Sequence, residues 1–230
     1  ARGGIFTGMG ISESLAQALN AFLGPVVVAA QEREELRCPV ALFDNYAASY
    51  DVVKLLTQTG HRPIAFISGP LEDPQAGEER QRGYTDALRD AGIPFQSAYV
   101  EHADFSIDTG YQAMERLLAR DDVKPTAVYG GSDLIAIGAM RCLQDRGVAV
   151  PDEISVFGFD NIPVGSKLIP SLSTVELDFY ELGEVCADLL YRLFEREESH
   201  VRKTIFSHKI IVRESFQPLD TDLGGGTDEG

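Results

Sequence analysis

Residues 150–161, VPDEISVFGFDN, run an apolar strand pattern straight into a carboxylate–amide pair, Asp160-Asn161. Strand ends of this kind are where an open α/β sheet binds its ligand. Residues 128–133, VYGGSD, repeat the arrangement with Ser132 and Asp133, and the run PVALFDN at 39–45 closes on Asp44-Asn45. Outward from these ends, short β-rich runs alternate with helical patterns along nearly the whole chain, which predicts parallel sheets with helices on both faces. Strands are expected near 4–8, 25–30, 39–43, 63–68, 97–101, 126–130, 153–158 and 205–212. Ile107, Tyr111, Met114, Leu117 and Leu118 recur at helical spacing after Ser106, a good N-cap. Phe179, Leu182, Cys186, Leu189, Leu190 and Leu193 form a second stripe, and both stripes read as core.

At 230 residues and 44% hydrophobic, the chain can bury one large core or two small ones. Its 36 acidic residues outnumber 20 basic ones, and the resulting charge of -16 is spread along the chain. Such a surface repels phosphate backbones, so these residues by themselves are not expected to bind nucleic acid. Cys38, Cys142 and Cys186 are scattered and lack metal-ligand spacing; they read as reduced, buried thiols of a cytoplasmic protein, with no metal and no cofactor. No apolar run approaches the roughly 18 residues of a membrane span. Nothing at the amino end resembles a signal peptide, but Ile5 to Met9 is strand-like almost from the first residue, so the missing leader carries little weight. GPLEDPQAG at 69–77 is too rich in Pro, Gly and acid for helix or strand and is expected to be a loop near a pocket mouth. The tail, 218–230, has nothing to bury and is expected to be disordered.

Candidate chemistry is sparse except at the strand ends. Gly8-Met9-Gly10 imitates the start of a dinucleotide fingerprint, but Glu13 replaces the third glycine, and a carboxylate there would repel a pyrophosphate. An ordinary βα turn accounts for it. No phosphate-binding loop, nucleophile elbow or metalloprotease motif occurs, and the four histidines have no partner pattern. His61 follows Gly60 at what reads as a helix C-terminus, where an imidazole near the last carbonyls is stabilising. By contrast, Asp44-Asn45, Ser132-Asp133 and Asp160-Asn161, with Arg80 in the helix after the Gly/Pro loop, could form a hydrogen-bonding cradle. Carboxylates accept hydroxyls and arginine donates in a fixed fork, which suits a neutral polyhydroxyl or heterocyclic ligand. Phe43 and Phe105 could supply flat walls. The same residues are also ordinary helix caps and turn formers, and spacing alone does not choose between the two.

The phrases GHRPIAFISGP (60–70), RQRGYTDALRDAGI (80–93), GGSDLIAIGAMRCLQDRGVAVPDEISVFGFDN (130–161), PSLSTVE (170–176) and IIVRES (210–215) resemble the LacI/GalR family of bacterial transcription regulators. They cover about 39–216 in family order and are jointly specific. The resemblance implies a periplasmic-binding-protein-like core: α/β, with two doubly wound parallel-sheet subdomains and a ligand cleft between them. The first subdomain would comprise 1–44 and 175–205, the second 45–174 and 206–217. Crossovers would fall at Phe43 to Asn45, Ser173 to Leu177 and Ile205 to Ile210. Carried over by position, the ligand contacts would be Phe43 or Asp44, Arg80, Phe105 as the stacking aromatic, Ser132, Asp133 and Asp160. The implied function is effector sensing, with a sugar or related metabolite as ligand, a homodimeric assembly, and operator DNA bound only through an amino-terminal helix-turn-helix headpiece missing from this chain.

Three departures qualify the match. Ser132-Asp133 stands where the family usually has Asn-Asp, exchanging an amide for a shorter hydroxyl, and Leu177 stands where many sugar-responsive members carry a polar side chain. The first two βα units of the family's core have no counterpart before Ile5, so an incomplete first subdomain with uncovered strand edges is expected. Two rivals remain: a periplasmic solute-binding protein of the same fold, disfavoured by the VPDEISVFGFDN and VRES phrases, and an enzyme using Asp133 or Asp160, for which no nucleophile, metal set or cofactor loop is present.

Overall fold

Strand, polar cap, helix is the unit that the chain repeats. The computed structural model describes residues 3–8, 10–195 and 203–219. In chain order the elements are β1 (Gly4–Thr7), α1 (Glu13–Ala21), β2 (Val26–Ala29), β3 (Val40–Phe43), α2 (Asn45–Gln58), β4 (Ile64–Ser68), α3 (Glu79–Asp90), β5 (Val100–His102), α4 (Ile107–Leu118), β6 (Ala127–Gly130), α5 (Asp133–Asp145), β7 (Ser155–Phe157), β8 (Thr174–Leu177), α6 (Phe179–Phe194), β9 (Lys203–Phe206) and β10 (His208–Ile211). Ser12, Asp44, Ser106, Ser132 and Asp178 cap α1, α2, α4, α5 and α6, each side-chain oxygen accepting the N–H three residues on. Caps placed directly after strand ends supply the orphan donors of the first turn and so fix where each helix starts.

Two four-stranded parallel sheets result, ordered β1-β2-β3-β9 and β5-β4-β6-β7. Strands β2, β3, β4 and β6 are buried along their whole length, as continuous apolar runs in parallel sheets require. Helix α6 packs against β1, β2 and β3 of the first sheet, while α2 packs along α3 and α4 along α5. The chain therefore leaves the first sheet after β3, returns to it after β8, and leaves it again after β9. One apolar cluster joins both sheets, from Val27, Ala41 and Phe43 to Phe66, Phe157, Val175 and Phe206. A second lies under α4 and α5 around Met114, Leu117, Ile135 and Leu143, and a third around Ile11, Ala16, Val28 and Leu42.

Several expectations change. Residues 205–212 are two strands, not one: β9 pairs with β3, whereas β10 pairs antiparallel with β8, and only Ser207 separates them. Strand β8 falls at the expected crossover; it pairs with β10, Glu176 within it bridges to Asp160, and Ser173 just before it bridges to Phe157. The 97–101 strand opens instead as a 3-10 turn, Ser97–Tyr99, before β5. The 69–77 loop contains one π-helical turn, Pro74–Glu78, because the Asp73 carboxylate accepts from the N–H groups of Gln75 and Ala76. His61 is fully buried, but its ring does not serve the α2 carbonyls: Nε2 donates to the Gln217 carbonyl at 2.9 Å and Nδ1 lies 3.3 Å from Thr126 Oγ1. Burial pushes its pKa down. In the two helical stripes Met114, Leu117, Leu182, Cys186 and Leu189 are buried, each such large side chain contributing roughly 1.5–3 kcal/mol. The first members, Ile107 and Phe179, are exposed. Cys142 and Cys186 are buried free thiols and Cys38 is partly exposed. The expected tail lies outside the described residues from 220 onward; Leu219 is described, and its N–H donates to the Thr59 carbonyl.

Candidate functional site

Arg80 enters the first turn of α3 directly after the π-helical turn, which carries its side chain inward, where it is only 5% exposed. A buried guanidinium needs its donors used and its charge balanced. Its Nε donates to Asn45 Oδ1 at 2.9 Å and its Nη1 to the Gly131 carbonyl at 2.5 Å. The plane lies 3.6 Å from the centre of the Phe159 ring, and Nη2 is 3.6 Å from Asp160 Oδ1. The ends of β3, β6 and β7 thus meet on one arginine. Burial raises the pKa of Asp160, and the Arg80 charge opposes that rise.

Asp160 sits in a backbone conformation that side chains other than glycine's rarely adopt, with φ 107°, and Asn161 follows at φ 54°. Surrounding bonds impose the turn. Asp160 N–H donates to the Val175 carbonyl, Asn161 Nδ2 donates to Glu176 Oε2 at 2.7 Å, and Arg213 Nη2 donates to Asn161 Oδ1 at 2.7 Å. Asp133 completes it from beneath: Thr174 Oγ1 donates to its Oδ1 at 2.5 Å and Ile162 N–H to its Oδ2 at 2.7 Å. Asp133 is 0% exposed, and burial, partly offset by those two bonds, lifts its pKa to about 6. Both its oxygens are engaged within the protein. Ser132 likewise spends its hydroxyl on the α5 cap, accepting from Ile135 N–H at 3.3 Å.

The remaining sequence-derived residues stand apart from this knot. Phe105, at φ 65°, lays its ring over Gly69, where a Cβ would meet ring carbons at 2.2 Å. Phe43 is buried, with Phe179 edge-on at 5.0 Å and Phe206 at 5.9 Å. Asp44 caps α2 through Ala47 N–H and lines, with Phe43, Glu79, Arg82 and Lys203, a recess of about 200 Å³. Asp160 lines a different groove of about 470 Å³ with Asn161, Glu176, Asp178, Phe179 and Tyr180. The two recesses share no lining residue among those described. Arg80 and Asp160 converge, Asp133 supports the same turn from within, Ser132 caps α5 beside it in sequence, and Asp44 does not join them. Sequence reasoning placed Asn45 and Asn161 in one cradle with Arg80 but left out Phe159 and the Gly131 carbonyl as partners of Arg80, and Glu176 and Arg213 as partners of Asn161. A ring stacked under a guanidinium and a main-chain acceptor leave no mark in spacing; Asn45 was visible only as a strand-end amide.

Parallel sheets joined by repeated passages, with charged side chains meeting at strand ends, define the class of a binding-protein-like α/β core. Residues 53–216 match the periplasmic binding protein-like domain family. The chain belongs to the LacI family of transcriptional regulators. It is 34% identical over 211 residues to catabolite control protein A of Priestia megaterium, covering 92% of this chain and 63% of that protein. It is 34% identical over 197 residues to the HTH-type transcriptional repressor CytR of Escherichia coli strain K12, covering 86% of this chain and 57% of the repressor. The chain thus spans less than two thirds of these relatives. Among solved structures it is similar to the transcriptional regulator CelR–cellobiose complex, with a TM-score of 0.85 at 30% identity over 92% of this chain and 65% of that one. Among the described residues, no helix is long and apolar enough to cross a membrane, and no group of three or more His, Cys, Asp or Glu could hold a metal ion.

Proposed function

We propose that these residues are the effector-sensing core of a DNA-binding regulator, responsive to a sugar or related neutral metabolite, acting without catalysis in the cytoplasm. The observation that carries the reading is the buried Arg80 held beside Asp160 by groups from three strand ends. Such a pair offers donor and acceptor together, the complement of a hydroxyl. Similarity to a regulator named with bound cellobiose supports the ligand class. In this reading 1–44 with 175–205 and 45–174 with 206–217 are two lobes, and the ligand favours one relative arrangement by its differential affinity, typically worth ~1–3 kcal/mol of coupling. In this reading the ligand contacts are Arg80, Asp160 and Phe105 on the second lobe, with Phe43 and Asp44 at the first passage; Asp133 acts by fixing the turn and Ser132 by capping α5. A helix-turn-helix headpiece, which the HTH-type name of the CytR repressor denotes for that relative, would read operator half-sites.

The assembly in this reading is a twofold homodimer. A groove of about 510 Å³ lined by Ile137, Met140, Val148, Val150 and Leu168, with Arg141 and Gln144, includes Ile169, which is 95% exposed. A knob beside an apolar groove is self-complementary across a twofold axis.

Thermal shift across sugars, nucleobases and phosphorylated metabolites tests the ligand site. A cognate ligand at ~100 times its dissociation constant stabilises by about 2.7 kcal/mol. In Asp160→Ala the affinity is expected to fall by about 1.5–3 kcal/mol, as for a lost charge-assisted bond. Full retention of the shift in that variant overturns the site, and a shift with no compound overturns the reading.

A further inference from the structure

Arg80 and Asp160 carry opposite charges at closely packed strand ends, yet they stop short of a hydrogen bond, Nη2 and Oδ1 being 3.6 Å apart. Charge-assisted bonds ordinarily close to about 2.7–2.9 Å, and the drive to close grows as water is excluded. The restraint comes from the other donors and the face of the guanidinium. Asn45 Oδ1 takes the Nε hydrogen at 2.9 Å, Gly131 takes one on Nη1, and Phe159 fixes the plane. Asn45 is itself immobilised: it is 6% exposed, it opens α2, and its Nδ2 donates to the Phe43 carbonyl at 3.4 Å. On the opposite side the Asp160 main chain is held in place, because its N–H is bonded to Val175 and Asn161 is clamped by Glu176 and Arg213.

We propose that Asn45 is a positioning residue: it draws the Arg80 guanidinium back from Asp160, so that a ligand hydroxyl, and not their own bond, joins the two charges. The proposal rests on the reading of Arg80 and Asp160 as ligand contacts. A hydroxyl lying beside the pair accepts from Nη2 and donates to the carboxylate at once. An oxyanion gains less, because the side-on fork that Nε would share with its neighbouring nitrogen is already occupied by Asn45, and because Asp160 repels it. Asn45 thereby also sets the site against carboxylate and phosphate ligands.

The test needs no ligand. In the full chain, hydrogen exchange at Arg80 Nε and the titration of the Asp160 carboxyl are followed by NMR in wild type, Asn45→Leu and Asn45→Asp. In wild type the Nε hydrogen is expected to exchange slowly. Asn45→Leu, which removes the acceptor at similar volume, is expected to speed that exchange at least about tenfold and to lower the Asp160 midpoint as the pair closes. Asn45→Asp keeps the acceptor and is expected to restore slow exchange. Should Asn45→Leu fail to fold, Asn45→Ser, whose hydroxyl is too short to reach, carries the same expectations. A rapidly exchanging Nε hydrogen in wild type, or unchanged exchange and midpoint once the acceptor is removed, overturns the proposal. Since every arm is measured without ligand, these outcomes stay distinguishable from a failure of Asp160→Ala to weaken effector binding.

Discussion

Asp160 holds φ at 107°, a conformation costing of order 1–3 kcal/mol for a residue with a Cβ. Replacing it by alanine or by glycine removes the same carboxylate, so the two variants differ chiefly in that backbone cost. Asp160→Gly is therefore expected to be about 1 kcal/mol more stable than Asp160→Ala in chemical denaturation; equal midpoints would remove strain from the account of this turn. His61 supplies a second test, through protons. Its folded pKa is lowered, so below the unfolded value of about 6.5 the unfolded chain binds more protons than the folded one. The stability that neutral His61 contributes by holding Gln217 is thus fully present above about pH 6.5, and is lost as pH falls from there through the lowered folded pKa. The margin of wild type over His61→Gln is expected to shrink between pH 8 and pH 5, and a constant margin would contradict it.

Among elements, α4 and α5 approach most closely where Gly110 and Gly138 leave room. A Cβ on Gly138 would meet the Ile107 carbonyl oxygen at 2.1 Å and Tyr111 N at 2.6 Å, both main-chain atoms that cannot swing away. Gly138→Ala is expected to destabilise by about 1–3 kcal/mol in thermal unfolding, as overpacking does; a neutral result would mean the two helices separate easily. At this scale the sequence was informative wherever hydropathy and capping agreed. The runs into Asp44, Ser132 and Asp160 foretold β3, β6 and β7 because each couples a fully buried strand to a polar end. Residues 205–212 misled because Ile205 through Val212 runs without a glycine or proline, and nothing local records that Ser207 carries the chain from one sheet to another. Likewise Asp133 and Asp44 looked equivalent as strand-end carboxylates; only tertiary packing directs one beneath the Asp160 turn and the other to a separate recess.

For the molecule as a whole, the groove that includes Ile169 is where self-association is expected. Ile169→Asp is expected to shift sedimentation toward the monomer without lowering the unfolding temperature of that monomer, and an unchanged distribution would move the interface elsewhere. The three passages between the sheets, after β3, after β8 and after β9, bear on how such a molecule can be taken apart. Neither half is a contiguous stretch of polypeptide, so neither can be excised by a single cut or exchanged between relatives as one cassette. A protease that nicks one passage leaves two strands of rope still holding the halves together, and the clipped protein should continue to migrate as one particle under native conditions.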